Sequence, residues 1–243
     1  MFSSWLTQRA DETLRRSLQQ IKRWPSLCQI CHAWPSQVLC ETCVAQFAQP
    51  KNRCSTCALP TADVTCPTCQ HARPPLDACL CAVDYAYPWA DCVAQFKFRA
   101  NPGLARALTD LMRHAPWVEP ALESANSLIP LPLSAQRLSE RGFNQSHELA
   151  RHLAPDKVDP YTLRRLEHSA HQVGNNKAQR EANVQGSFWL DPKRLDKVQG
   201  RHLVLVDDVM TTGASLFEAA RTLRAAGAAH ITGLVFARTP ASW

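Results

Sequence analysis

The chain has 243 residues, 45% of them hydrophobic and 20% charged, with a formal net charge of +6. At this length roughly 70% of the unfolded surface is buried, enough for a full core and one small module. No run of about 18 apolar residues occurs, which excludes a membrane-spanning helix, and the mild positive charge permits phosphate or nucleic-acid partners without requiring them. The opening residues hold Asp11 and Glu12 and lack the unbroken apolar core of a secretion signal, so a cytoplasmic location is expected.

Residues 1–24 predict an amphipathic basic helix, with Leu14, Leu18 and Ile21 at i, i+4 and i+7 among Arg15, Arg16, Lys22 and Arg23. Such a helix suits packing on the core, or a basic face for DNA or an anionic membrane surface. Residues 25–83 carry four C-x-x-C pairs, Cys28/Cys31, Cys40/Cys43, Cys54/Cys57 and Cys66/Cys69, with gaps of eight, ten and eight residues. Two such knuckles complete one tetrahedral site of four thiolates, and all-sulfur coordination leaves no open position for chemistry. Without a secretion signal a disulfide framework is disfavoured, and regular repetition argues against a redox pair. Two structural Zn2+ sites built from sequential pairs are expected, although spacing alone leaves an interleaved pairing open. Metal binding should supply the folding energy of so small and proline-broken a module. Cys79, Cys81 and Cys92 are expected to be buried small apolar side chains, with His32 and His71 as bystanders.

Residues 84–243 predict the larger domain. Tyr85 to His114 reads as helix around Pro102, with Lys97 between Phe96 and Phe98 either solvated or contacting phosphate or nucleic acid. Ser127 to Leu133 reads as a short strand ending at prolines, followed by Arg137, Arg141 and Asn144, where an anion could dock. Leu163 to Leu190 is polar, basic and without clear period, a surface loop or a lid. Leu203 to Val206 is a buried strand of a parallel sheet, expected to end at Asp207 and Asp208. Ser215 to Glu218 reads as a capping box, with Ser215 at the N-cap, opening a helix that stops near Gly227. His230 to Arg238 is a further buried strand.

The chemistry concentrates at Val209, Met210, Thr211, Thr212, Gly213, Ala214 and Ser215. A loop of threonines and glycine feeding a helix N-terminus offers N–H groups and positive potential to a phosphate. Paired carboxylates would repel that phosphate, so they serve another part of the ligand, and acceptor-only oxygens suit the vicinal hydroxyls of a ribose. The run L-V-L-V-D-D-V-M-T-T-G-A-S resembles the phosphoribosyl-pyrophosphate (PRPP) motif of type I phosphoribosyltransferases. Together with the four C-x-x-C pairs and P-L-P-L…R-L…E-R-G-F-N-Q, it resembles the ComF family (the ComFC/GntX-like competence and DNA-utilisation proteins).

That resemblance implies an α/β fold, a type I phosphoribosyltransferase-like parallel sheet flanked by helices with an N-terminal double zinc ribbon. It implies that Asp207 and Asp208 hold the ribose hydroxyls and act in catalysis, and that residues 209–215 hold the 5′-phosphate. Arg137, Arg141 and Asn144 would take the pyrophosphate side, and Mg2+ would accompany PRPP. In the lid, Arg165, Gln172, Arg180, Asn183 and Phe188 match the family pattern, whereas Ala170 stands where threonine is usual. His168 and His171 are read as solvated. Two functions follow: phosphoribosyl transfer to an unidentified nitrogen acceptor, or a non-catalytic sensor or 5′-phosphate grip. The partners implied are PRPP or a related compound, single-stranded DNA, and proteins of the DNA-uptake machinery. The family's association with competence places the chain in DNA uptake or DNA utilisation.

Overall fold

In the computed structural model, which describes residues 25–98, 101–166 and 186–240, the apolar run Leu203–Val206 is buried throughout. It seeds the centre of a four-stranded parallel sheet. The strands are β1 (Ala78–Asp84), β2 (Ser127–Pro130), β5 (His202–Met210) and β6 (His230–Arg238), in the order β1-β6-β5-β2. Two short strands, β3 (Leu163–Arg165) and β4 (Phe188–Leu190), pair antiparallel as a separate ribbon. The expected helix at 1–24 and the lid positions Gln172, Arg180 and Asn183 lie outside the described residues.

The helices are α1 (Glu41–Phe47), α2 (Pro67–His71), α3 (Trp89–Phe98), α4 (Leu104–Arg113), α5 (Val118–Ser124), α6 (Ala135–Arg141), α7 (Gln145–Leu153) and α8 (Ala214–Ala225). Alternate strand residues face alternate sides of the sheet. Leu203, Leu205, Ile231 and Val235 pack with Leu216, Ala219, Ala220 and Leu223 of α8. The other side is covered by α4 and α7, with Trp89 of α3 edge-on to Phe236 at 6.1 Å. Each fully buried Leu or Val in these layers contributes ~1.5–3 kcal/mol relative to exposure.

Three local features differ from expectation. First, β5 does not stop before the acids. It runs through Asp207 and Asp208 to Met210, because β6 continues beside it with Asp207 opposite Val235 and Met210 opposite Arg238. On its other side β2 ends at Pro130, opposite Val206. Beyond that point, where the acids lie, β5 has no paired strand on that side among the described residues. Second, α8 begins at Ala214 with Gly213 as its N-cap, so Ser215 to Glu218 is not a capping box. Thr212 Oγ1 accepts from the Ala214 N–H at 3.2 Å, and the Glu218 carboxylate accepts from the Gly186 N–H and the Arg221 guanidinium. Gly227, at φ 90°, does close the helix. Third, Ala78–Asp84 is a strand of the main sheet. Its buried positions Cys79, Cys81 and Val83 alternate, so those cysteines are core side chains, as expected. Burial pushes the Cys79 thiol up, and it pushes Cys81 up to about 11.

The chain forms two compact units that divide between Val44 and Ala45. The first holds Cys28, Cys31, Cys40 and Cys43. The second holds the sheet together with Cys54, Cys57, Cys66 and Cys69, which share the hydrophobic cluster on the α8 side. The expected domain division after Val83 falls within β1.

Candidate functional site

The cysteines gather as two sets of four, Cys28/Cys31/Cys40/Cys43 and Cys54/Cys57/Cys66/Cys69, with the sulfurs of each set within 4.8 Å of one another. Sequential pairs therefore combine, and the interleaved arrangement does not occur. Sulfur–sulfur separations of 3.9 Å for Cys28–Cys43, 3.7 Å for Cys31–Cys40 and 3.6 Å for Cys57–Cys66 are far too long for disulfides. They match the edge of about 3.8 Å of a tetrahedron whose metal–sulfur bonds are about 2.3 Å. In each set one thiol is primed to ionise. At Cys28 burial opposes ionisation, but backbone N–H groups of Cys31, Cys40 and Ile30 outweigh it and bring the thiol down to about 6. At Cys54 burial is likewise outweighed, by the Thr56 hydroxyl and nearby backbone N–H groups, again to about 6. Burial pushes Cys43 and Cys57 up, so a bare cluster resists further ionisation until a cation shares the charge. Both sets are compatible with zinc.

At the carboxyl end of β5 the two acids find different partners. Asp208, buried, forms an ion pair with Lys97 of α3 at 2.7 Å. Asp207 Oδ1 accepts from Ser146 Oγ of α7 and from the Asp208 N–H, both at 2.9 Å. Burial, and then the Asp208 charge beside it, push Asp207 up to about 7 against the opposing pull of Lys97. Among the described residues one ion-paired cation serves the two carboxylates, which leaves the pair short of directly bonded positive charge.

The next residues form the loop Thr211–Gly213. The backbone N–H groups of Thr211, Thr212 and Gly213 make no hydrogen bond among the described residues. Gly213 has φ +87°, and a Cβ there would stand 2.5 Å from Met210 Cε and 2.7 Å from the Phe217 ring. This left-handed position favours glycine strongly. Arg238, at the end of β6 and only 4% exposed, donates to the carbonyls of Met210 and Thr211 from beneath the loop. The result is a cradle of free N–H groups at the head of a twelve-residue helix, adjoining the acid pair.

The arginines differ in what they do. Arg141 donates to Gln145 Oε1 at 2.9 Å and lies over the Phe98 ring. Asn144 caps α7 by accepting from the Ser146 and His147 N–H groups, and its amide donates to the Leu131 carbonyl, so both ends hold the loop after β2. Arg137 is exposed on α6. Arg165 of β3 stacks on Phe188 and is pulled below its usual range by burial and by repulsion from Arg137, while Asp207 opposes that shift. Arg137, Arg165 and Asp207 thus share one electrostatic neighbourhood.

The phosphoribosyl transferase domain family matches residues 140–243. The DNA utilization protein YhgH of Salmonella typhimurium is 31% identical to this chain over 226 residues, covering 88% of this chain and 98% of that protein. The chain belongs to the YhgH/ComF family. Competence protein F of Haemophilus influenzae is 30% identical over 68% of this chain and 75% of its own length. Competence protein ComFC of Bacillus subtilis is 32% identical over 60% of this chain and 58% of its own length. A phosphoribosyl transferase domain implies a ligand of the PRPP type, and among the described residues no helix is long and apolar enough to cross a membrane.

In this YhgH/ComF chain the region around the acids also contains residues that sequence reasoning passed over or left open. Lys97 was equally readable as a solvated side chain until its pairing with Asp208 appeared. Ser146 carries no signal of its own. Gln145, beside it and 1% exposed, has a buried amide nitrogen without a partner among the described residues. Arg238 did give a signal, since a charge closing an otherwise apolar strand must find polar partners.

Proposed function

We propose that this chain binds PRPP or a related phosphoribosyl compound at the carboxyl end of β5 and serves DNA uptake or DNA utilisation, the activities for which its relatives are named. The observation that carries the reading is the join between the acid pair Asp207/Asp208 and the unpartnered N–H groups of Thr211–Gly213. Carboxylates accept from a sugar diol, and the loop with the N-terminus of α8, through Ala214 and Ser215, receives the 5′-phosphate. Arg137 and Arg165, which repel one another, favour an anion between them and suit the pyrophosphate side. Arg141 and Asn144 act there by fixing the segment after β2 that leads into and out of α6, the helix that carries Arg137.

Asp207 and Asp208 fit a divalent cation by their oxygen donors and their shortage of positive charge. Mg2+, when bound, supplies charge neutralisation for the diphosphate. Should transfer occur, departure of pyrophosphate builds positive charge on the sugar, which the two carboxylates favour electrostatically. Two Zn2+ ions in the cysteine clusters complete the cofactor set, and single-stranded DNA is the polymer that the chain's basic segments suit.

Calorimetric titration of PRPP with Mg2+ tests the ligand. The parent protein is expected to bind, and the double variant Asp207→Asn/Asp208→Asn is expected to lose most of that affinity. Unchanged affinity in the double variant would remove the acids from the site. Pyrophosphate release across a panel of nitrogenous bases then separates a transferase from a sensor.

A further inference from the structure

Arg238 joins two parts of the molecule that have no covalent reason to communicate. Its Nε donates to the carbonyl of Cys57, a residue of the second cysteine cluster, at 2.9 Å. Its Nη1 donates to the carbonyls of Met210 at 3.1 Å and Thr239 at 2.9 Å, and to that of Thr211. These carbonyls hold a guanidinium that is 4% exposed and has no carboxylate partner among the described residues. A cation so placed depends on every one of them, because a buried charge left unmatched is costly.

The same contacts set the direction of the loop. A trans peptide places each C=O opposite the following N–H. Anchoring the Met210 and Thr211 carbonyls on Arg238 therefore turns the Thr211 and Thr212 N–H groups away from it, which is the orientation a phosphate above the loop requires. The knuckle on the other side of Arg238 is fastened to the sheet as well. Arg53, the residue before Cys54, pairs with Asp84 at the end of β1 at 2.8 Å. The Ser55 carbonyl accepts from the Cys79 N–H at 2.7 Å. The Cys79 sulfur in turn touches the Met210 sulfur at 3.8 Å.

We propose that Arg238 is a positioning residue that couples metal binding at Cys54, Cys57, Cys66 and Cys69 to ligand binding at Thr211–Gly213, and that the first cluster, Cys28, Cys31, Cys40 and Cys43, stands outside this linkage. Loss of metal from the second cluster frees the knuckle, withdraws the Cys57 carbonyl and lets Arg238 and the loop carbonyls rearrange. Ligand on the loop holds the same carbonyls in place and so retains the metal. Binding linkage makes the two effects equal in size. The inference rests on the phosphoribosyl reading of the loop, and its test is chosen to tell the two apart.

The full chain loaded with zinc is challenged with a chromogenic chelator, with and without ribose 5-phosphate, whose binding is measured separately by calorimetry. At equilibrium with the chelator, one of the two ions is expected to be held about tenfold more tightly when ribose 5-phosphate is present, the other with unchanged affinity, a factor within the usual range of coupling between sites. In Arg238→Lys, which keeps the charge but loses the fork, zinc loading should persist while the ligand-dependent protection disappears. The arm on the parent protein stands even if that variant does not fold. Ribose 5-phosphate that binds yet protects neither ion, or protects both equally, overturns the linkage and leaves the phosphoribosyl reading intact. If ribose 5-phosphate does not bind at all, the reading of the loop has failed and the linkage falls with it.

Discussion

Replacing Asp207 by Asn should make the ligand-free protein more stable at alkaline pH while weakening its recognition of a sugar diol. Asp207 is raised to about 7 by burial and by the Asp208 charge, whereas an unfolded Asp titrates near ~3.9. A folded pKa above the unfolded one gives a contribution that is fully present below pH ~3.9 and is lost as pH rises through about 7. The gap of about three units corresponds to at most ~4 kcal/mol, and partial exposure with coupling to Asp208 brings the expectation to on the order of 2–4 kcal/mol at pH 8. Asn is nearly isosteric, and its carbonyl oxygen still accepts from Ser146 Oγ and the Asp208 N–H, so the geometry is kept. Urea denaturation at pH 5 and pH 8 measures the effect. The variant should gain on its parent at pH 8 and much less at pH 5, and calorimetry should show PRPP binding weakened, by less than in the double variant. A variant that is no more stable at pH 8, or whose advantage is the same at both pH values, would refute the electrostatic account of the site.

Lys97→Met leaves buried Asp208 without its cation and should cost ~3–5 kcal/mol; adding Asp208→Asn should restore most of that in the same urea assay. Gly233→Ala places a Cβ 2.7 Å from Leu216 Cδ2, 3.2 Å from Leu76 Cδ1 and 3.3 Å from Cys79 Sγ, between β6, α8 and β1. The overpacking should cost ~1–3 kcal/mol without altering PRPP affinity. Asp84 is pulled below the usual carboxylate range, burial being outweighed by Lys51 and Arg53. Its contribution is therefore present above pH ~4 and lost as pH falls through its folded value, and Asp84→Asn should flatten the acid limb of the stability profile below pH ~4. Elemental analysis should find two zinc ions per chain, and chelation should remove both with loss of folding in the cysteine-bearing segments.

What the sequence makes legible is whatever is local. The apolar run Leu203–Val206, the T-T-G loop and the C-x-x-C pairs each announce themselves within a few residues, because a buried strand, a glycine turn into a helix and a cysteine knuckle are short-range devices. The structure bears out the parallel sheet and the sequential cysteine pairing. What could not be read is whatever depends on a partner distant in the chain. β5 outlasts its apolar run only because β6 runs alongside, and Glu218 abandons a capping box because Gly186 offers an N–H from the ribbon. β1 went unread because Cys79 and Cys81 carry chemical associations that obscure their alternation. Lys97 and Ser146 reach the acids from separate helices, and no spacing rule connects positions so far apart.

The outermost strand of the sheet, β2, has one more consequence. Leu131 sends its N–H inward to Val206, so the prolines flanking it, Pro130 and Pro132, sit where an N–H would point outward, and neither has one. Upstream of the prolines that margin is already in use, since Val158 bridges Leu128 in parallel and the Asp159 N–H donates to the Leu128 carbonyl at 2.8 Å, so the prolines limit how far such pairing runs rather than forbid it. Among the described residues pairing along that margin stops short of Pro130, and the approach to the acids beyond it stays clear of β-pairing.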